Sequence, residues 1–298
     1  MAIDSSKTAP ASRFADNSWL VPRCASPSFV ASVLELCKRE RIDLVIPTID
    51  PELPVYAAIA ARLAEAGTTV CISSAETVGI GADKAATNAW LIRNGFPAVR
   101  QSSPEDVLRS RESWQLPLVA KPRSGSASIG VRLVHGWDEL EILAAAEPDL
   151  IVEEKAAGRE FTINAYVSRD GRCISAVPHW RIEVRAGEVA KGVTIKDPAL
   201  VSLGRKIAEA LPGAWGPLNI QCFKDAPGDI RVFEINTRFG GGYPLAHRAG
   251  ATFTSWLLNE LEGRALSVFD DWQDNLAMLR YDEGVYLPGT EIGLDGHA

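Results

Sequence analysis

The sequence predicts a mixed chain, an α/β layer followed by an α+β region, and three observations carry that prediction. Apolar runs and helical patterns alternate from Ile42 to Asn94, as they do in a small, mostly parallel layer. From about Asp106 a hairpin and longer alternating strands take over. Further on, two strands face each other across a tight turn, and the second runs into three glycines.

Residues 1 to about 18 are polar and are expected to be irregular and poorly ordered. Ser28 to Arg41 spaces Phe29, Val30, Val33, Leu34 and Cys37 on one helix face, with Ser28 as the cap. Ile42 to Ile49 is a continuous apolar run ended by Asp50-Pro51, which predicts a buried parallel strand. Pro54 to Ala66 predicts an alanine-rich helix stopped by Gly67. Thr69 to Ser73 reads as a strand, and Lys84 to Asn94 as a helix closed by Gly95. Nothing before Ile42 supplies the apolar strand and glycine-rich turn that usually open a doubly wound layer. Either the start is truncated, or the layer is shortened and lacks its first strand and helix.

Leu116 to Arg123 predicts a strand bearing Lys121, and Val131 to Val134 its hairpin partner. The loop between them, through Ser124, Gly125, Ser126, Ser128 and Ile129, offers backbone N–H groups and hydroxyls with little bulk. That suits an anion-binding nest, and a mobile hairpin with an exposed lysine is the alternative. The lysine precedes the glycines, so the P-loop order is absent. Trp137 to Ala146 reads as a helix, Leu150 to Glu154 and Phe161 to Ser168 as strands. Glu153, Glu154 and Glu160 gather at the junction of the two strands, where a carboxylate and free backbone suit an adenine edge and a ribose, while two of the three are expected to be solvated strand ends.

Arg181, Arg185, Lys191 and Lys196 make a locally basic stretch, either a solvated face or, for one or two of them, phosphate-facing. Pro198 to Ala210 predicts a helix with Leu200, Leu203, Ile207 and Leu211 along one side. Gly216 to Asp225 is expected to pair antiparallel with Arg231 to Asn236, with Asn219 and Gln221 facing the same site as Glu234. Ser255 to Glu262 is the last helix expected.

The stretch Asp229 to Gly242 carries the chemistry. Arg231, Phe233 and Ile235 alternate with Val232, Glu234 and Asn236, which puts Glu234 and Asn236 on one face, about 7 Å apart. Arg238 follows on the same side. A carboxylate and an amide oxygen suit Mg²⁺, which takes hard oxygen ligands and keeps sites for substrate phosphates. A guanidinium takes phosphate oxygens bidentately. The triglycine leaves backbone open to close approach.

Composition narrows the classes. A net charge of −7 over 298 residues argues against a broad nucleic-acid footprint. No apolar run approaches a membrane span, and the N-terminus has no apolar signal core, so a cytoplasmic protein is expected. The five cysteines are odd in number and include no C-x-x-C, and the four histidines are scattered, so neither disulfides nor a zinc site is expected. No G-x-G-x-x-G follows an early strand, against a nicotinamide enzyme.

In their order along the chain, ADK at Lys84, VAKPRSGSASIGV, VEEKAAGREFTINAY and NIQCF…VFEINTRFGGGYPLAHRAGA resemble the ATP-grasp superfamily, in particular its carbamoyl phosphate synthetase-like branch, over roughly Ile42 to Gly263. The resemblance implies an ATP-grasp fold, with residues 1–83 as the preceding α/β layer. Residues 84–298 would be the grasp unit, with a small lid subdomain near 106–155 and a larger one from 156. It implies ATP and Mg²⁺, with Mn²⁺ as a substitute. Lys84 and Lys121 would meet the phosphates, and Ser124 to Ile129 would fold over them. Glu153 or Glu154 with neighbouring backbone would read adenine, and Glu160 the ribose. Gln221, Glu234 and Asn236 would hold the metal, and Arg238 would steady the transferring phosphoryl group. The implied activity joins a small-molecule carboxylate to an amine through an acyl phosphate, with neither nucleic acid nor membrane as partner and a homodimer allowed. The chain carries one grasp unit and no amidotransferase, so carbamoyl phosphate synthesis itself is not expected. A nucleotide-binding module without turnover is the alternative.

Overall fold

A computed structural model describes residues 1–125 and 128–293. Its N-terminal part begins with β1 (Ala2–Asp4) and β2 (Ser18–Leu20), three-residue strands paired in parallel. The expectation of an irregular lead-in over residues 1 to 18 is thereby corrected; strands this short have too few positions to show a period. Helix α1 (Phe29–Glu40) follows, with Phe29, Val33, Leu36 and Cys37 buried. Ser28 precedes it without capping it, because its hydroxyl pairs with that of Ser26 at 2.9 Å. Strand β3 (Leu44–Val45), α2 (Leu53–Glu65) and β4 (Thr69–Val70) complete a parallel β3–β4 pair. Only two residues of the apolar run Ile42–Ile49 ladder, since the chain then turns at Asp50–Glu52. The Glu52 carboxylate pins that turn, accepting from the N–H groups of Thr48 (2.6 Å) and Ile49 (3.1 Å).

Helix α3 (Ala75–Ala82) is capped by the Ser74 hydroxyl, and α4 (Lys84–Arg93) by the Asp83 carboxylate, which accepts from the N–H groups of Ala85 and Ala86. A four-stranded antiparallel sheet comes next: β5 (Gln101–Ser102), β6 (Leu118–Pro122), β7 (Arg132–Val134) and β8 (Leu150–Glu154), in the order β5-β8-β6-β7. Helices α5 (Pro104–Arg109) and α6 (Trp137–Ala146) cover it, burying Val107, Leu118, Leu140 and Val152.

The remaining strands are β9 (Arg159–Val167), β10 (Cys173–Arg185), β11 (Glu188–Thr194), β12 (Gly216–Lys224), β13 (Ile230–Asn236) and β14 (Ala277–Leu279). They form one antiparallel sheet in the order β13-β12-β9-β10-β11-β14. Helix α7 (Pro198–Ala210) lies between β11 and β12 in sequence, with α8 (Tyr243–Arg248) and α9 (Phe253–Leu261) after β13.

Alternation sorts this sheet into two faces. Phe161, Ile163 and Ala165 of β9 and Leu218, Ile220 and Cys222 of β12 join Trp90 and Leu91 of α4 and Leu200 and Ile207 of α7 in one buried core. Each fully buried aliphatic side chain there contributes about 1.5–3 kcal/mol. Thr162, Asn164, Asn219 and Gln221 take the alternate positions and turn to the opposite face. Strict alternation fails in β13. The register shifts between Gln221 and Cys222, so Glu234 opposes Gln221 while Val232 opposes Cys222, leaving Phe233 as an extra residue. Val232 and Ile235 both enter the core, while Phe233 and Glu234 both reach the cavity described next.

Candidate active site

A cavity of about 340 Å³ lies between the two larger sheets, within the range of small-molecule sites. Lys84, Lys121, Gly125, Ser128, Ile129, Glu153, Glu154 and Glu160 line it, as do Gln221, Glu234, Asn236 and Arg238. Ser124 does not form part of its wall, and Ser126 lies outside the described residues. Val119, Leu133, Phe223 and Phe233 supply an apolar portion.

The oxygen donors come from the strand pair. Gln221 opposes Glu234, and Asn219 opposes Asn236, across β12 and β13. Burial raises the Glu234 carboxyl above its ordinary value, while the charges of Lys84 and Lys121 pull it down. The Lys84 ammonium lies 3.9 Å from Glu234 and donates to the Gly125 carbonyl at 2.7 Å. Its own backbone N–H donates to Arg123, whose guanidinium in turn bonds Asp83 at 2.7 Å. The start of the β6–β7 loop is thus tied to the first turn of α4, and Ser124 is carried outward.

Lys121 and Glu153 form a buried pair at 2.8 Å, with both side chains 6% exposed. Glu153 also accepts from Gln101 Nε2 at 2.8 Å, while Glu154 pairs with Arg100 at 3.0 Å. Glu153 is thus held by a cation and an amide, and the half-exposed Glu154 by a cation alone. Glu160 pairs with Arg181 at 2.8 Å; burial raises its carboxyl, and the Arg181 charge lowers it. Of the basic stretch, Arg181 is the member that faces the cavity.

Arg238 is also engaged. Its Nε and Nη2 donate to the two carboxylate oxygens of Asp50, at 2.7 and 2.6 Å, and its Nη1 to the Phe239 carbonyl at 3.0 Å. Its backbone carbonyl accepts from Asn219 Nδ2. Asp50 was legible only as the end of an apolar run. Its pairing over 188 residues of chain left no local signal.

The triglycine has a packing reason. A Cβ at Gly240 would overlap the Asn219 amide, and one at Gly242 would lie 2.6 and 2.7 Å from Cε1 and Nε2 of His179. His179 is fully buried and accepts through Nδ1 from Asn164 Nδ2 at 3.2 Å. Burial, and then the Arg181 charge, push it down to about 3, so the ring is neutral.

The donor set decides which metal fits. Among the described residues no cluster of three His, Cys, Asp or Glu side chains could hold an ion. One carboxylate with two amide oxygens instead suits a hard cation that completes its shell with phosphate oxygens, as Mg²⁺ does.

Comparison with known proteins bears on the fold. The family described as ATP-grasp in the biosynthetic pathway with Ter operon matches residues 146–283, and the PylC-like N-terminal domain matches residues 1–71. The chain thus carries a segment that matches an ATP-grasp family model, on an ATP-grasp fold. Among curated relatives, it is similar to the D-alanine–D-alanine ligase of Mycobacterium avium, 30% identical over 216 residues that span 67% of this chain and 58% of the ligase. The same-named enzyme of Mycolicibacterium smegmatis is 32% identical over 140 residues, 44% of this chain and 38% of the ligase. The match therefore spans less than two thirds of the first relative's length and less than half of the second's. Among solved structures, a complex of biotin carboxylase with β,γ-ATP from Campylobacter jejuni aligns with a TM-score of 0.76 and 17% identity, covering 92% of this chain and 67% of that one. The L-amino acid ligase of Bacillus licheniformis aligns at 0.63 and 20%, covering 83% and 63%. At these identities the structural likeness shows the ATP-grasp fold and nothing finer. No helix among the described residues is long and apolar enough to cross a membrane.

Proposed function

We propose that this ATP-grasp chain is an ATP- and Mg²⁺-dependent carboxylate–amine ligase working through an acyl phosphate. The observation that carries the reading is that Gln221, Glu234 and Asn236 share one cavity with Lys84, Lys121 and Arg238. A purine site alone needs no such set of oxygen donors beside three cations. The ligase names of the mycobacterial relatives support the same reaction class.

In this reading Lys84 and Lys121 bind the phosphates, and the apolar wall at Val119, Leu133, Phe223 and Phe233 takes the base. Glu153 or Glu154, with the neighbouring backbone to Ala156, also in the wall, reads the adenine edge. Glu160 holds the ribose. Gln221, Glu234 and Asn236 hold Mg²⁺, which supplies charge neutralisation at the phosphate oxygens; Mn²⁺ suits the same donors.

The substrate carboxylate attacks the γ-phosphorus, an O–P bond forms, and the bond to the β-phosphate oxygen breaks to release ADP. The amine then attacks the acyl carbon, expels inorganic phosphate and gives up a proton. Arg238 and Lys121 hold the phosphoryl oxygens during the transfer, so the chain contributes position and charge rather than a covalent partner. Ser128 and Ile129 sit on the loop that screens the intermediate from water.

We further propose residues 1–83 as the preceding layer and 84–298 as the grasp unit, with the lid near 106–155 inside it. A homodimer remains compatible with this reading. Four of the five free cysteines are buried, which suits a reducing, cytoplasmic setting.

The test is ADP release from Mg-ATP with a panel of carboxylates and amines, on wild type and Glu234→Ala. Release that needs one acid with one amine, and that vanishes in the variant, supports the ligase. Full activity in Glu234→Ala sinks the site assignment. Mg-ATP binding without ADP under any pairing favours a module that holds nucleotide without turnover.

A further inference from the structure

We infer that Asp50 is a positioning residue for Arg238, holding its guanidinium so that the remaining donors meet the γ-phosphoryl group; this rests on the nucleotide reading above. Asp50 opens the turn Asp50–Glu52 between β3 and α2, in the N-terminal layer, and contacts Arg238 just beyond the end of β13. The contact is bidentate, and the two side chains are 23% and 12% exposed.

Donor arithmetic gives the pair its meaning. A guanidinium carries five N–H donors. Asp50 takes one from Nε and one from Nη2, and the Phe239 carbonyl takes one from Nη1. One donor on each terminal nitrogen is left, on a side chain that lines the cavity. The Asp50 carboxylate therefore leaves Arg238 two hydrogen bonds for an anion while fixing the plane in which they lie.

The anchor is itself fixed. Glu52 clamps the turn that bears Asp50 through the N–H groups of Thr48 and Ile49. At the other end, Asn219 Nδ2 holds the Arg238 carbonyl. A guanidinium braced from both sides has little left to reorganise when charge arrives, which is the condition under which fixed donors favour transfer. An unbraced arginine on this segment would have to give up its rotamers at that step.

A bridge that merely docks the N-terminal layer would act differently. Losing it would weaken every ligand of the cavity together. A positioning role instead marks the γ-phosphoryl group alone, so the ratio of Mg-ATP to Mg-ADP affinity separates the two.

Calorimetric titration of the full chain with Mg-ATP and with Mg-ADP reads that ratio. The wild type is expected to prefer Mg-ATP by about tenfold or more, from two charge-assisted hydrogen bonds. Asp50→Asn, close in shape but uncharged, should keep its Mg-ADP dissociation constant within about twofold while the preference falls below about threefold. Asp50→Glu should recover part of the preference. Arg238→Lys, which keeps the charge and loses the fork, should lose it like Asp50→Asn, and this serves if Asp50→Asn does not fold.

A preference that survives in Asp50→Asn or Arg238→Lys overturns the inference. So does a wild type that shows no preference, or a variant in which both affinities fall in proportion. A wild type that binds neither nucleotide overturns the nucleotide reading and this inference with it.

Discussion

Lys121 and Glu153 are each other's ion-pair partner inside the cavity wall, 2.8 Å apart on the neighbouring strands β6 and β8. Lys121 also lies 5.2 Å from the centre of the Phe233 ring, so its charge is fenced by a carboxylate on one side and an aromatic face on the other.

Removing one partner of such a pair leaves the other charge buried. Lys121→Met is expected to cost about 3 kcal/mol in urea unfolding, and the double variant Lys121→Met/Glu153→Gln clearly less, since no uncompensated carboxylate remains. Both variants should bind Mg-ATP more weakly than wild type. Unchanged ATP affinity in the double variant would remove Lys121 from the phosphate site.

His179 predicts an acid-side weakness. Its ordinary value is 6.5, and in the fold it is pushed down to about 3. Above pH 6.5 the ring is neutral in both states; below it, the unfolded chain takes up a proton that the folded chain refuses. Stability therefore falls as pH drops through that window, by up to ~1.4 kcal/mol per pH unit from this group. His179→Gln should show a shallower loss of stability on acidification. An identical slope in the two proteins would mean that the ring titrates freely.

Gly242→Ala tests the packing of the triglycine. The added methyl would meet the His179 ring at 2.6 Å, and both residues are buried. A cost of about 1–3 kcal/mol in unfolding free energy is expected, typical of overpacking. His179→Gly in the same background makes room and should recover part of it. No destabilisation in Gly242→Ala would show that the loop shifts freely.

The parts of the fold that were legible are those whose signals lie within one segment. Trp137–Ala146, Leu150–Glu154 and Pro198–Ala210 take the bounds that periodicity and flanking residues indicate. Helix α3 was missed because Ala75–Ala82 carries two glycines and little helical contrast, and its Ser74 cap follows directly on an apolar strand pattern. The bulge in β13 was invisible for another reason. Its alternation looks regular alone and breaks only against the register of β12.

The candidate site divides in the same way. Glu234, Asn236 and Arg238 could be read together because one strand and its continuation present them. Gln221 required the hairpin, whose turn register alone would set it against Phe233; the bulge moves it opposite Glu234. The commitments of Glu153 to Lys121, of Glu160 to Arg181 and of Arg238 to Asp50 could not be read. Each joins residues from different strands or layers, so only the tertiary arrangement decides which carboxylate meets which cation.

The four-stranded and six-stranded sheets share no strand, and the cavity lies where their walls face one another. A molecule lodged there is gripped by two jaws at once, and the width of the gap governs passage in both directions. On the ligase reading proposed above, an opening that admits a nucleotide would also admit water, which destroys an acyl phosphate. For such a cleft, how long the jaws stay shut after phosphoryl transfer matters more than how tightly they first bite. On that reading, yield of joined product per ATP spent would be set by timing.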